Sequence, residues 1–126
     1  MNLFQLGDFV LHSGRRSWWK IECDALTSDD WEALALMAAE ILPPFGFVCG
    51  VPRGGIPFAK ALNKYVSEGS RLTLIAEDVV TTGESLLNFR EQLGEHVVGV
   101  CVFARGKCPE WVTPLFQMPG RKEELS

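Results

Sequence analysis

The stretch "LIAEDVVTTGES", Leu74–Ser85, passes from apolar to acidic to small and polar within twelve residues. Its first half reads as a buried strand, and its last residues as the entry to a helix. In a parallel α/β sheet, ligands bind beyond the carboxyl ends of strands, where loops lead into helix N-termini. Thr81–Ser85 would present successive backbone N–H groups and three hydroxyls there, backed by the positive end of the helix dipole. Charge-assisted hydrogen bonds contribute about 1.5–3 kcal/mol each, so four or five would hold a phosphate dianion. Gly83 permits the tight backbone path. Glu77 and Asp78 are poor phosphate ligands, but carboxylates accept hydrogen bonds well from vicinal sugar hydroxyls. The same residues also fit a plain Thr-Thr-Gly turn with Ser85 capping the next helix.

The surrounding chain repeats the strand-then-helix pattern. "FGFVCGV" is a short apolar strand, followed by Gly54-Gly55 and the helix "IPFAKALNKYVSEG". "RLTLIAED" is a second strand and "ESLLNFREQLG" its helix. "HVVGVCVFAR" is a third strand, with a fourth at "VTPLFQM". Alternation at these lengths predicts an α/β fold, a three-layer parallel sheet flanked by helices with right-handed crossovers.

Upstream, "LTSDDWEALALMAAEILPP" reads as a helix capped by Thr27 or Ser28 and stopped by Pro43-Pro44. Trp31, Leu34, Ala35, Ala38, Ile41 and Leu42 follow its apolar spacing. Before it, Phe9 and Leu11, then Trp19, Ile21 and Cys23, predict an antiparallel pair around a Gly14 turn. The expected organisation is one domain: a β hood over 1–24, an α/β core over 25–118 and a frayed tail over 119–126.

At 126 residues the chain is large enough for one core. Its 47% hydrophobic and 22% charged residues are those of an ordinary soluble globular domain. A net charge of −4 argues against a nucleic-acid partner, which needs a concentrated basic stripe, but not against a small phosphorylated ligand. No segment reaches the length of a membrane span. Cys23, Cys49, Cys101 and Cys108 show neither C-x-x-C spacing nor a histidine pair to complete a zinc site. Cys49 and Cys101 read as small core residues. Free thiols and the lack of a signal-peptide pattern set the expectation of a cytoplasmic protein. No G-x-x-x-x-G-K-[ST] or G-x-G-x-x-G pattern supports a nucleoside triphosphatase or a dinucleotide-dependent dehydrogenase.

"LIAEDVVTTGES" resembles the phosphoribosyl-pyrophosphate (PRPP) motif of type I phosphoribosyltransferases. "GVPRGG", Gly50–Gly55, resembles that family's pyrophosphate loop, and "FVLHSGRRSWWKIECDAL", from Phe9, the hood of its orotate phosphoribosyltransferase branch. The resemblance implies a 5′-phosphate on Val80, Thr81, Thr82, Gly83, Glu84 (through its backbone) and Ser85. It implies ribose hydroxyls on Glu77 and Asp78, the expected catalytic acids, and pyrophosphate at Arg53 and Gly54. His12, Trp19 and Lys20, with Trp18, fall where the hood meets the base. A Mg²⁺ ion held by substrate, rather than directly by protein, and a homodimer are further implications. Each residue also has a plain alternative: hood core for Trp18 or Trp19, a turn residue for His12, a surface ion pair for Arg53, a solvated turn tip for Arg15 and Arg16. His96 is expected to be exposed.

The resemblance has a gap. Family members carry further strands and a long flexible loop before the PRPP strand. Here only about twenty residues separate Gly55 from Glu77, and a helix plus one strand use nearly all of them. Two functions are therefore expected: a compact phosphoribosyltransferase, or a non-catalytic module that binds PRPP or a nucleotide.

Overall fold

The computed structural model describes residues 1–11 and 13–119; His12 and most of the expected tail, 120–126, lie outside the described residues. Strands β1 (Phe4–Val10) and β2 (Arg16–Ile21) form an antiparallel hairpin. Helix α1 (Ser28–Ile41) follows, then β3 (Phe47–Gly50), α2 (Ile56–Leu62), β4 (Thr73–Val80), α3 (Glu84–Leu93), β5 (Val97–Ala104) and β6 (Val112–Gln117). The four later strands form one parallel sheet in the order β3-β4-β5-β6, which agrees with the expected α/β core.

The hairpin turns at Gly14 as expected but begins earlier, at Phe4. Phe4 pairs with Ile21, Leu6 with Trp19 and Phe9 with Ser17, with a register shift between Leu6 and Phe9. The reason for the early start is tertiary: the Phe4 ring meets Phe103 of β5 edge-on, centroids 5.9 Å apart. Thr27, not Ser28, caps α1. Its hydroxyl accepts from the Asp30 N–H at 3.2 Å, and the Asp30 carboxylate accepts from the Thr27 N–H at 2.8 Å. Trp31, Leu34, Ala35 and Ala38 are buried as their spacing predicts, whereas Ile41, in the last turn, is exposed.

Helix α2 is shorter than its sequence pattern. It tightens into a 3₁₀ turn at Asn63–Tyr65 and then leaves helical geometry. The segment beyond is tied elsewhere: Ser67 N–H donates to Phe45 O at 2.8 Å, and the Ser70 hydroxyl to Pro44 O at 3.1 Å. These bonds hold it against the chain entering β3, so the helix cannot run on to Gly69.

The expectation of right-handed crossovers fails for one of the two helical connections. The chain steps from β3 to β4 to β5 in one direction across the sheet. Yet α2 packs with Leu74, Ala76, Val100 and Val102, whereas α3 packs on the opposite face with Ile75 and Cys101. Two crossovers that step the same way on opposite faces have opposite hands. Coverage is the physical reason. Helix α1 already shares the α2 face, through Trp31 against Phe58, and a third helix there would leave Ile75 and Cys101 of the sheet without cover. Among the described residues no helix is long and apolar enough to cross a membrane.

Candidate functional site

The carboxyl ends of β3 and β4 are neighbours, Gly50 pairing with Ala76, so the loops at Arg53 and Thr82 leave the same edge of the sheet. After Val80 the chain turns through Thr81 and Thr82 to Gly83, whose φ of 83° places it in the left-handed region as the N-cap of α3. That backbone state favours glycine, since a side chain there costs about 1–2 kcal/mol. The Thr82 hydroxyl accepts from the Glu84 N–H at 3.4 Å, and Leu87 N–H donates to Gly83 O at 3.0 Å. The cap is therefore Gly83, not Ser85. A cavity of about 90 Å³ opens at this turn, lined by Glu77 and Thr81–Ser85, with Ser13 of the hood also on its wall. Ser13 was not singled out in the sequence, where nothing marks it among the turn residues "HSGRRS".

Glu77 lines this cavity, and Asp78 follows it on β4. Glu77 is only 8% exposed and Asp78 is half-buried. Glu77 Oε1 accepts from the Asp78 N–H at 3.0 Å, and Asp78 Oδ1 from the Val79 N–H at 2.8 Å. Burial, with the hydrogen bond to the Asp78 side chain and its charge, pushes the Glu77 carboxyl up to about 9; the backbone N–H bond offsets only part of this. Glu77 therefore carries a proton at neutral pH and can donate as well as accept.

The loop after β3 closes on itself: Gly55 N–H donates to Val51 O at 2.9 Å and Ile56 N–H to Arg53 O at 3.2 Å. The Pro52–Arg53 peptide is cis. Arg53 is exposed, and Gly54 lies so close to Asp78 that a methyl group there would collide with the carboxylate. The proposed pyrophosphate residues thus sit beside the proposed ribose acids.

A larger cavity, about 230 Å³, lies under the hood. Arg15, Arg16, Trp18, Trp19, Thr81 and Arg105 are among its walls. Thr81 lines both cavities, so the two adjoin at that residue. Trp18 is 75% exposed, while Trp19 is half-buried. Lys20 points away from this space: its ammonium pairs with Glu22 at 3.3 Å and lies over the Phe9 ring. His12 lies outside the described residues. His96 is exposed as expected.

Arg105 was missed in the sequence. It follows β5, its guanidinium stacks 3.6 Å from the centroid of the Trp19 ring, and it donates to Trp19 O at 3.0 Å and to Ser17 Oγ at 2.8 Å. The available signal was its place at the end of "HVVGVCVFAR", the strand-end logic that picked out Arg53. Among the described residues no group of three or more His, Cys, Asp or Glu is placed to hold a metal ion.

Among solved structures the chain resembles orotate phosphoribosyltransferase from Aeropyrum pernix, with a TM-score of 0.74 and 22% identity over 92% of this chain and 88% of that one. The fold is that of the orotate phosphoribosyltransferases. The same phosphoribosyltransferase fold is found in the UMP synthase of Leishmania donovani, with a TM-score of 0.74 and 18% identity over 92% of this chain but 34% of that one. It is found too in orotate phosphoribosyltransferase of Mycobacterium tuberculosis H37Rv, with a TM-score of 0.64 and 18% identity over 91% and 89% of the two chains. Neither a protein-family model nor a curated protein matches the chain.

Proposed function

We propose that this protein is a compact phosphoribosyltransferase that binds PRPP and transfers its phosphoribosyl group to an anionic, pyrimidine-like base, releasing pyrophosphate. The observation that carries the proposal is that the two cavities adjoin at Thr81, which sets a phosphate-sized turn beside a hood lined by Arg15, Arg16 and Arg105. An orotate-like base fits such a hood, since its carboxylate pairs with guanidinium groups and its ring stacks on indole. The orotate phosphoribosyltransferase and UMP synthase neighbours support the same class.

In this function the N–H groups and hydroxyls of Val80–Ser85 hold the 5′-phosphate, and Glu77 and Asp78 fix the ribose hydroxyls. Arg53 and Gly54 receive the pyrophosphate, and Trp19 faces the base, with His12 assigned there on the resemblance alone; Lys20, paired with Glu22, is turned from it. The sugar becomes oxocarbenium-like as the carbon–pyrophosphate bond breaks, and the Asp78 carboxylate is placed to favour that positive charge. Asp78 is the carboxylate that would face a hard cation carried by the substrate, and Mg²⁺ there would neutralise the departing pyrophosphate.

One observation favours a second function, a binding module without turnover. Between α2 and β4 the chain holds only a 3₁₀ turn and 66–72, with no room for a closing loop. Positioned cations at a leaving group commonly change rates by about 10²–10³.

Calorimetry with PRPP·Mg²⁺ and with orotidine 5′-monophosphate tests both functions. Asp78→Asn and Thr82→Ala are expected to weaken binding about tenfold each, the loss of one charge-assisted hydrogen bond. No binding of any phosphoribosyl compound would reject both. Pyrophosphate release on adding bases singly, orotate first, separates enzyme from module.

A further inference from the structure

Beside the turn that follows β4, two thiols lie against each other. Cys101 is fully buried on β5, on the face covered by α3. Cys108 is half-buried in the segment joining β5 to β6, and its Sγ lies 3.9 Å from that of Cys101. Both are free. A disulfide requires a separation of about 2.05 Å, so the bond needs a local movement of about 2 Å.

The segment that carries Cys108 is also a wall of the phosphate loop. Arg105 N–H donates to Val80 O at 2.8 Å. Gly106 packs on the Thr81 carbonyl so closely that a methyl group would collide with it. Pro109, adjacent to Cys108, packs on Gly83, its Cδ 3.3 Å from where a Gly83 methyl would stand. Movement of Cys108 towards the sheet therefore pulls on the segment that makes these three contacts.

We propose that Cys101 and Cys108 form a peroxide-oxidisable dithiol whose disulfide displaces the phosphate loop through Gly106 and Pro109. The structural step stands on the contacts above; its effect on ligand rests on the proposed function. The Cys108 thiolate attacks one peroxide oxygen, the O–O bond breaks, and hydroxide leaves and takes up a proton as water. Cys101 gives up its proton and attacks the sulfur of the Cys108 sulfenic acid, and a second water departs as the S–O bond breaks. Two thiols thus lose two electrons and two protons, and one hydrogen peroxide becomes two waters. Contact with the Cys101 thiol draws Cys108 below the ordinary thiol range, whereas the same contact and burial push Cys101 up. That difference makes Cys108 the attacking thiol and Cys101 the resolving one. Cys23, buried and pushed up to about 12, is a poor competitor.

The test treats the whole chain with equimolar hydrogen peroxide and follows it by mass spectrometry and amide exchange. Tryptic peptides 91–105 and 108–121 are expected to be joined by a disulfide before Cys23 or Cys49 changes, and Cys108→Ser to abolish the joined pair. In the oxidised protein the amides of Arg105 and Leu87, whose acceptors are Val80 and Gly83, are expected to exchange faster. Dithiothreitol should restore them. Affinity for ribose 5-phosphate should fall by about tenfold on oxidation, the loss of about one charge-assisted hydrogen bond. Sulfinic acid at Cys108 without the joined pair overturns the proposal, as does a disulfide that leaves Arg105 and Leu87 exchange unchanged. Reduced protein that does not bind ribose 5-phosphate would reject the proposed function alone, because linkage and exchange are read without ligand.

Discussion

Arg105 pins Trp19 from two directions: its guanidinium lies 3.6 Å from the indole centroid while also donating to the Trp19 carbonyl oxygen at 3.0 Å. With the further bond to Ser17 Oγ at 2.8 Å, one side chain from the core sheet fixes β2 of the hood. The hairpin meets the core through Leu3, Phe4 and Ile21, while Leu6, Val10 and Trp18 are exposed.

Arg105→Ala should therefore loosen the hood more than it destabilises the core. A partly buried cation–π contact contributes about 0.5–2 kcal/mol and each hydrogen bond about 0.5–1.5 kcal/mol, so a local loss of about 2 kcal/mol is expected. Amide exchange in β1 and β2 should rise roughly in proportion, with β4 and β5 unchanged. Equal acceleration in hood and core would show that Arg105 supports the whole fold rather than the hood.

Gly54 gives a sharper prediction because its obstacle is a named group. A methyl group there meets the Asp78 carboxylate, so Gly54→Ala must move either the Arg53 loop or Asp78. Overpacking of this kind costs about 1–3 kcal/mol. Circular dichroism should remain native while PRPP·Mg²⁺ affinity drops by tenfold or more, about 1.4 kcal/mol. Unchanged affinity would mean that the two loops do not share a ligand.

What could be foreseen from sequence divides along sequence distance. Leu74–Ser85 was legible because strand, acids and turn are contiguous, and each local preference agrees with the parallel sheet. The same holds for the cap of α1, narrowed to Thr27 or Ser28, and for β6. Arg105 was not legible, because its partner Trp19 lies 86 residues away and no local pattern encodes that meeting. The early start of β1 likewise depends on Phe103. The crossover hands were misjudged for a global reason: local spacing marks each helix but not which face remains bare after α1 docks. Lys20, counted with the base residues, was drawn to Glu22 two positions on.

Gly83→Ala tests the turn itself. With φ at 83° and Pro109 Cδ at 3.3 Å from the new methyl, the substitution combines a left-handed backbone penalty with a tight contact. An equilibrium loss of about 1–2 kcal/mol is expected by urea denaturation. Made in a Pro109→Ala background, the same substitution should pay only the backbone part. Equal losses in the two backgrounds would remove any role for Pro109 packing.

The buried acid pair predicts a pH dependence of definite sign. Glu77 binds its proton in the folded protein up to about 9, whereas an unfolded glutamate releases it near its ordinary value of 4.5. Between those values the native state holds the extra proton, so stability falls as pH rises, by at most about 1.4 kcal/mol per pH unit. The contribution is complete below the unfolded value and is lost above about 9, where both states are ionised. Glu77→Gln keeps a neutral, hydrogen-bonding side chain of similar shape and removes the titration. Urea midpoints measured from pH 6 to pH 9 should decline for the wild type relative to the variant, with the Gln form the more stable at the alkaline end. Asp78→Asn should flatten the wild-type decline in part, since the Asp78 hydrogen bond and charge are two of the causes that raise Glu77. Parallel profiles for wild type and Glu77→Gln would mean that Glu77 is already ionised at neutral pH, and that burial does not keep its proton in place.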